Sequence, residues 1–420
     1  MNLWADFDDT QHKAIVSVSQ KSLRRLTEQV ILSSLRDWLL HEYVPCYCHA
    51  LAMSRIFRRC YWIDGLGGQT RTTLASAATA EPTDKLQGKR RKKENATPLA
   101  LEPIATLAHT LAQENVPITL HGLLLAADKK ATKASKANIS AQPVNIPRES
   151  GIVNASWSEI APTLLAEIDQ SPALFLLNPF GKLLFNFEQL APLYQRTVPT
   201  ELLLFFSHQQ LLQQFQNAHN AQRTSVQATT LTALLRSDRW KALPARPEES
   251  QQAIDGLIEL VIGSMQRYFL LPVQSISLPI LLRPSVVERV PYTLLFATRR
   301  QDSLMSMNDA ICSHERSVYA ESYRGVLTEE WFMRQQQEQI STLLEDTLLH
   351  VQSIGRAQRT RRWPDLRQQV LLQQFGMLTI SEYDNLIQQL LEQGTVRCEW
   401  KRPSPNGERI PGNEDTLFWT

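Results

Sequence analysis

Cysteine is scarce in this chain: Cys46, Cys48, Cys60, Cys312 and Cys398 are five in 420 residues. An odd number, scattered and without paired C-x-x-C clusters, argues against a disulfide framework or a zinc site and leaves buried or free thiols. Cys46 and Cys48 lie near His41 and His49, but ligands one residue apart rarely close a tetrahedral site. Charge of one sign is missing too. With 44 basic against 42 acidic residues the net charge is only +2, so nucleic-acid binding, if present, must be local. No apolar run reaches the 18 residues of a membrane span, and MNLWADFDDT carries acids where a signal peptide needs a basic flank. The expectation is a cytoplasmic protein with no membrane segment. Neither a Ser/His/Asp arrangement nor a P-loop is visible.

What is present is enough apolar sequence for a folded chain: 43% hydrophobic and 20% charged residues across a length that suggests two or three domains. Residues 20–58 read as helix, with Leu23, Leu26, Val30, Leu35 and Leu39 on one face. Arg58 to Ile63 reads as a strand ending at Asp64-Gly65-Leu66-Gly67-Gly68. Residues 70–96 read as an inserted loop that includes the run Lys89 to Lys93. Helix Leu99 to Gln113 and strand Ile118 to Ala126 lead to Asp128. The rhythm then repeats: strand Ile152 to Ala155, helix Ser158 to Ile168, strand Ala173 to Leu177, helix Phe187 to Tyr194, strand Glu201 to Phe206 and helix Gln209 to Asn217. Such alternation predicts an α/β fold with a mostly parallel sheet covered on both faces. A helix from Glu249 to Phe269 and a strand from Tyr292 to Ala297 follow. Helices Leu366 to Phe375 and Ile380 to Leu391, then strands Thr395 to Trp400 and Thr416 to Trp419, give the order of a C-terminal winged helix.

Ligands in such sheets bind at the carboxyl ends of the strands, where Asp64, Asp128 and Asn178 all fall. The glycine turn Gly65, Gly67, Gly68 lets backbone N–H groups approach a ligand beside a carboxylate; a glycine turn with a capping Asp reads equally well. Asp128, ending the second strand, adds an acceptor for ribose hydroxyls and favours a nucleoside cofactor. Asn178-Pro179-Phe180-Gly181 could aim an amide and a carbonyl at an amino group with an aromatic face nearby, the alternative being a proline turn after a buried strand. Lys89 to Lys93 reads as a phosphate contact or a solvated loop. Glu201 and His208 read as cap and surface residues, the alternative being acid or base catalysts.

These motifs resemble those of the three-Cys-motif partner family, which is similar to class I S-adenosylmethionine-dependent methyltransferases. The matching segments are Tyr61 to Gly68, Ala96-Thr97-Pro98-Leu99, Asn178 to Gly181, Thr200-Glu201-Leu202-Leu203, Trp240, Tyr292 to Thr298 and Met307-Asn308-Asp309. The resemblance implies a Rossmann-like methyltransferase sheet, with Asp64, Gly65, Gly67, Gly68 and Asp128 near S-adenosylmethionine and Asn178, Pro179, Phe180 and Gly181 near the substrate. It also implies a three-Cys-motif protein as partner. Asn178 in place of the family's aspartate brings the segment nearer to the Asn-Pro-Pro-Tyr motif of amino-methyltransferases, which points to a nucleobase amino group in DNA or RNA. The altered glycine turn points instead to a scaffold that binds nucleic acid or a protein through its winged helix. The expected domains are a helical segment at 1–60, the sheet domain at 61–330, a helical linker at 331–360 and the winged helix at 361–420.

Overall fold

The computed structural model describes residues 28–66, 101–126, 147–181, 184–220, 225–283, 286–325, 328–359, 361–401 and 410–420. They form two compact units. One runs through the described residues up to Ser277 and takes in Val290–Arg299; the other comprises Leu278–Arg289 and the residues from Arg300 onward.

The first unit opens with helix α1 (Glu28–Trp38), a π-helical turn (Leu39–Tyr43) and α2 (Val44–Met53). Strand β1 (Arg59–Asp64) and α3 (Leu101–Gln113) lead to β2 (Thr119–Leu125), β3 (Gly151–Val153), α4 (Trp157–Glu167) and β4 (Ala173–Leu177). Then come α5 (Phe187–Gln195), β5 (Thr200–Ser207), α6 (His208–Asn220), α7 (Val226–Leu235), α8 (Ser250–Gln266) and β6 (Gln274–Ile276). The chain passes through the hairpin β7 (Pro279–Arg283) and β8 (Val286–Arg289), which belongs to the second unit, and returns as β9 (Tyr292–Ala297).

Seven strands form one sheet in the order β3-β2-β1-β4-β5-β9-β6. The first five are parallel, and β9 runs antiparallel to both β5 and β6. The expected mixed α/β architecture with a mostly parallel sheet between helices is therefore present. Because successive side chains of a strand point to opposite faces, the sheet builds two cores. Tyr61, Ile63, Phe175, Leu177, Leu202, Leu204 and Leu295 face α4 to α8. The other face meets the N-terminal helices: Tyr43 packs edge-on to Phe296, and a Cβ on Gly122 would fall 2.7 Å from Ile104 of α3. β4 is buried at every position, the continuous apolar run of a central parallel strand. Truncating one of its leucines to alanine would cost about 2–5 kcal/mol.

The second unit continues with α9 (Gln301–Ser322), the 30-residue α10 (Glu329–Gln358), α11 (Trp363–Gln373), α12 (Ile380–Glu392) and the antiparallel hairpin β10 (Val396–Glu399) and β11 (Thr416–Trp419). The expected boundaries after 330 and 360 do not coincide with this division. Asn308 of α9 is fully buried, donates to Leu378 O at 2.7 Å and accepts from Gly376 N at 2.8 Å, while Asp309 accepts from Ile380 N at 2.8 Å. Asn308 and Asp309 thus clamp the turn before α12, so α9 belongs with the C-terminal helices rather than with the sheet.

Candidate functional site

At β1 the sheet changes direction: β2 and β3 lie to one side, β4 and β5 to the other. In sheets of this kind the usual ligand position is a crevice outside the carboxyl ends of the strands at which the order reverses, here β1 and β4. The two turns meet there. Asp64 stands opposite Leu176 in register, and Gly65 N–H donates to Leu176 O at 2.8 Å. The Asp64-Gly65 turn and the segment Asn178 to Gly181 are thereby neighbours. Gly67, Gly68 and Asp128 lie outside the described residues, as does the lysine-rich stretch at 89–93.

Gly65 is fixed by close approach. A Cβ there would sit 2.5 Å from Leu177 Cδ2, well inside van der Waals contact, so any larger residue must displace the core leucine of β4.

Asp64 occupies a different environment from the one expected. The pleat turns it to the face covered by α1, where it is fully buried with Arg36. Arg36 Nε donates to Oδ2 at 2.5 Å and a second guanidinium nitrogen to Oδ1 at 3.2 Å. Oδ1 also accepts from Leu66 N at 2.8 Å. Both carboxylate oxygens are used inside the fold, which makes Asp64 the brace of the turn rather than a ligand for a cofactor. Arg36 escaped the sequence reading because it lies 28 positions upstream. The available signal was an arginine on the stripe that carries Leu32, Leu35 and Leu39.

Asn178 is also internally engaged. Its Oδ1 accepts from Phe180 N at 3.0 Å, and its Nδ2 donates to Gln210 Oε1 at 2.8 Å. Pro179 O accepts from Phe185 N at 2.9 Å, and Gly181 O accepts from Gln214 Nε2 at 2.9 Å. Gln210 and Gln214, one turn apart on α6, hold this loop from the neighbouring strand's helix. The ring of Phe180 is fully buried, 5.4 Å from that of Phe206. The expected open aromatic face is a core side chain, because the turn folds back through the Phe180–Leu184 bridge.

The remaining motif residues are structural in their contacts. Trp240 is buried and donates Nε1 to Thr232 at 2.9 Å. Glu201, expected as a cap, is fully buried within β5 and accepts from the Thr298 hydroxyl at 3.0 Å. His208, expected at the surface, is partly buried at the start of α6, with Nε2 2.9 Å from the Thr293 hydroxyl; burial lowers its pKa.

A second polar cluster lies towards the amino ends of β1 and β2, away from the crevice. Tyr61 stacks on His121, Tyr61 donates to Glu149 at 2.5 Å, and Arg59 reaches the other Glu149 oxygen at 2.9 Å. Burial lowers the His121 pKa, against the pull of Glu149. Among the described residues no group of His, Cys, Asp and Glu could hold a metal ion, and no helix is long and apolar enough to cross a membrane.

No protein-family model matches the chain, and no curated protein matches it.

Proposed function

We propose that the first unit is an S-adenosylmethionine-binding domain of the methyltransferase type. The observation that carries the reading is the sheet: parallel strands reversing order at β1, with an antiparallel β9 inserted before the edge strand, as the class I resemblance implies. The all-parallel dinucleotide-binding order has no such strand. Since Asp64 is spent on Arg36, the ribose acceptor in this reading is Asp128. The cofactor would supply an electrophilic methyl group. The chain's own part is to hold the turn with Arg36 and Asp64, and to hold the Asn178 loop with Gln210 and Gln214. The acceptor in this reading is an amino group of a nucleobase in DNA or RNA.

Calorimetric titration of S-adenosylmethionine and S-adenosylhomocysteine into the full chain tests it. Micromolar binding lost in Asp128→Ala is expected. A folded protein that binds neither compound overturns it. Asp64→Ala is a poor control, because it strands a buried arginine.

A second reading has a specific observation behind it. The acceptor atoms of Asn178, Pro179 and Gly181 are already hydrogen-bonded, which favours a methyltransferase-like scaffold without catalysis. On this reading α10, α11, α12 and the β10–β11 hairpin form a winged helix that binds nucleic acid or a protein, a three-Cys-motif protein included. Leu417 N donates to Arg361 O at 2.8 Å, which adds a third extended segment beside the hairpin.

A further inference from the structure

The helix that would enter a nucleic-acid groove in the second reading is α12, and its sequence ISEYDNLIQQLLE carries Glu382, Asp384 and Glu392 with no lysine or arginine. Glu382 and Asp384 are paired with Arg316 and Arg367 inside the unit, so the helix offers phosphate no cation of its own. Basic residues gather elsewhere in the same unit. The end of α10 and the link to α11 read Arg356-Ala357-Gln358-Arg359-Thr360-Arg361-Arg362, four arginines in seven residues without an acid. Arg356, Arg359, Arg361 and Arg362 are all exposed.

Three contacts tie this segment to the hairpin. Leu417 N donates to Arg361 O at 2.8 Å, Arg356 Nε donates to Thr420 O at 3.0 Å, and the Trp419 ring lies so close to Gly355 that a Cβ there would fall 2.2 Å from it. On the outer face of the hairpin Arg397 stands opposite Phe418, and both are exposed, Phe418 by 51%. Glu399 on that face is already paired with Lys401. None of the ion pairs among the described residues includes Arg356, Arg359, Arg361, Arg362 or Arg397.

We infer that this end of the unit binds single-stranded nucleic acid, with Arg359, Arg361, Arg362 and Arg397 on the phosphates and the Phe418 ring as a stacking platform for a base. The inference takes from the second reading only that nucleic acid is bound by this unit; it is independent of cofactor binding by the first. Arg359 caps α10 at φ 49°, a left-handed position that glycine fills without steric cost, so Arg359→Gly removes the charge without straining the backbone.

The test is fluorescence anisotropy of labelled 20-nucleotide single strands and the matching duplex against the full chain, over a range of salt. The wild type binds the single strand, with log Kd changing by about 0.7 per log unit of salt for each phosphate engaged. The triple variant Arg359→Gly, Arg361→Gln, Arg362→Gln lowers that slope by about 2. Phe418→Ala weakens single-strand binding about tenfold while leaving the slope in place. Arg359→Gly alone weakens binding without lowering the melting temperature, which separates the ligand role from a folding role. Absence of binding, an unchanged slope in the triple variant, or equal competition by polyglutamate overturns the assignment to nucleic acid. Duplex binding as tight as single-strand binding, insensitive to Phe418→Ala, overturns the assignment to single strands. S-Adenosylhomocysteine titration into the triple variant is expected to match the wild type, so either reading can fail alone.

Discussion

Asp64 and Arg36 show how one buried charge determines what its neighbour can do. Each is almost fully withdrawn from water, and each satisfies the other. Removing one partner leaves an uncompensated charge in the core, at a cost of about 3–5 kcal/mol, whereas replacing both with apolar residues of similar volume is often neutral. Asp64→Ala is therefore expected to lower the urea midpoint sharply, and the double variant Arg36→Met, Asp64→Leu to recover much of the loss. Equal destabilisation of the single and double variants would contradict the pairing. His121 and His208 give a second prediction at this scale. Burial depresses both below the ordinary 6.5, so the unfolded chain takes up protons first as the pH falls. Their contribution to stability is complete above pH 6.5 and is lost as the pH drops through the lower folded values. Urea midpoints should fall between pH 7.5 and 5.5, and the pair of changes His121→Gln and His208→Gln should flatten that fall. A wild-type midpoint that stays level over this range would contradict it.

At the scale of elements, much of the first unit was legible because its strands are short apolar runs between turn residues. Ala173–Leu177 and Tyr292–Ala297 were read with the observed ends, since both are buried along their full length and break sharply. β6, β7 and β8 were missed: three to five residues around Pro279 offer no alternation long enough to register. α7 was missed because the stripe Ala228, Leu231, Leu234 and Leu235 is short and blurred by the exposed Val226 and Ala233 on the opposite side. α9 and α10 carry mixed polar sequence whose partners lie far along the chain, so the clamp by Asn308 was not visible. The candidate site was legible in position and not in use. Asp64 and Asn178 do lie at the carboxyl ends of β1 and β4, but the hydrogen-bond partners Arg36 and Gln210 are set by tertiary contacts.

For the molecule as a whole, the proposed functions divide between the two units. The first holds a parallel sheet with one reversed strand and strand-end turns braced from inside; the second holds a helical assembly whose exposed arginines gather beside a hairpin. In the proposed reading the cofactor goes to the first unit and nucleic acid to the second, and each proposal has its own readout. The most direct measurement is hydrogen exchange of the full chain with and without saturating S-adenosylhomocysteine. The account predicts slower exchange in the segments around 59–66 and 174–181, with 356–399 unchanged. Unaltered exchange at both strand ends, or protection confined to the C-terminal helices, would contradict it.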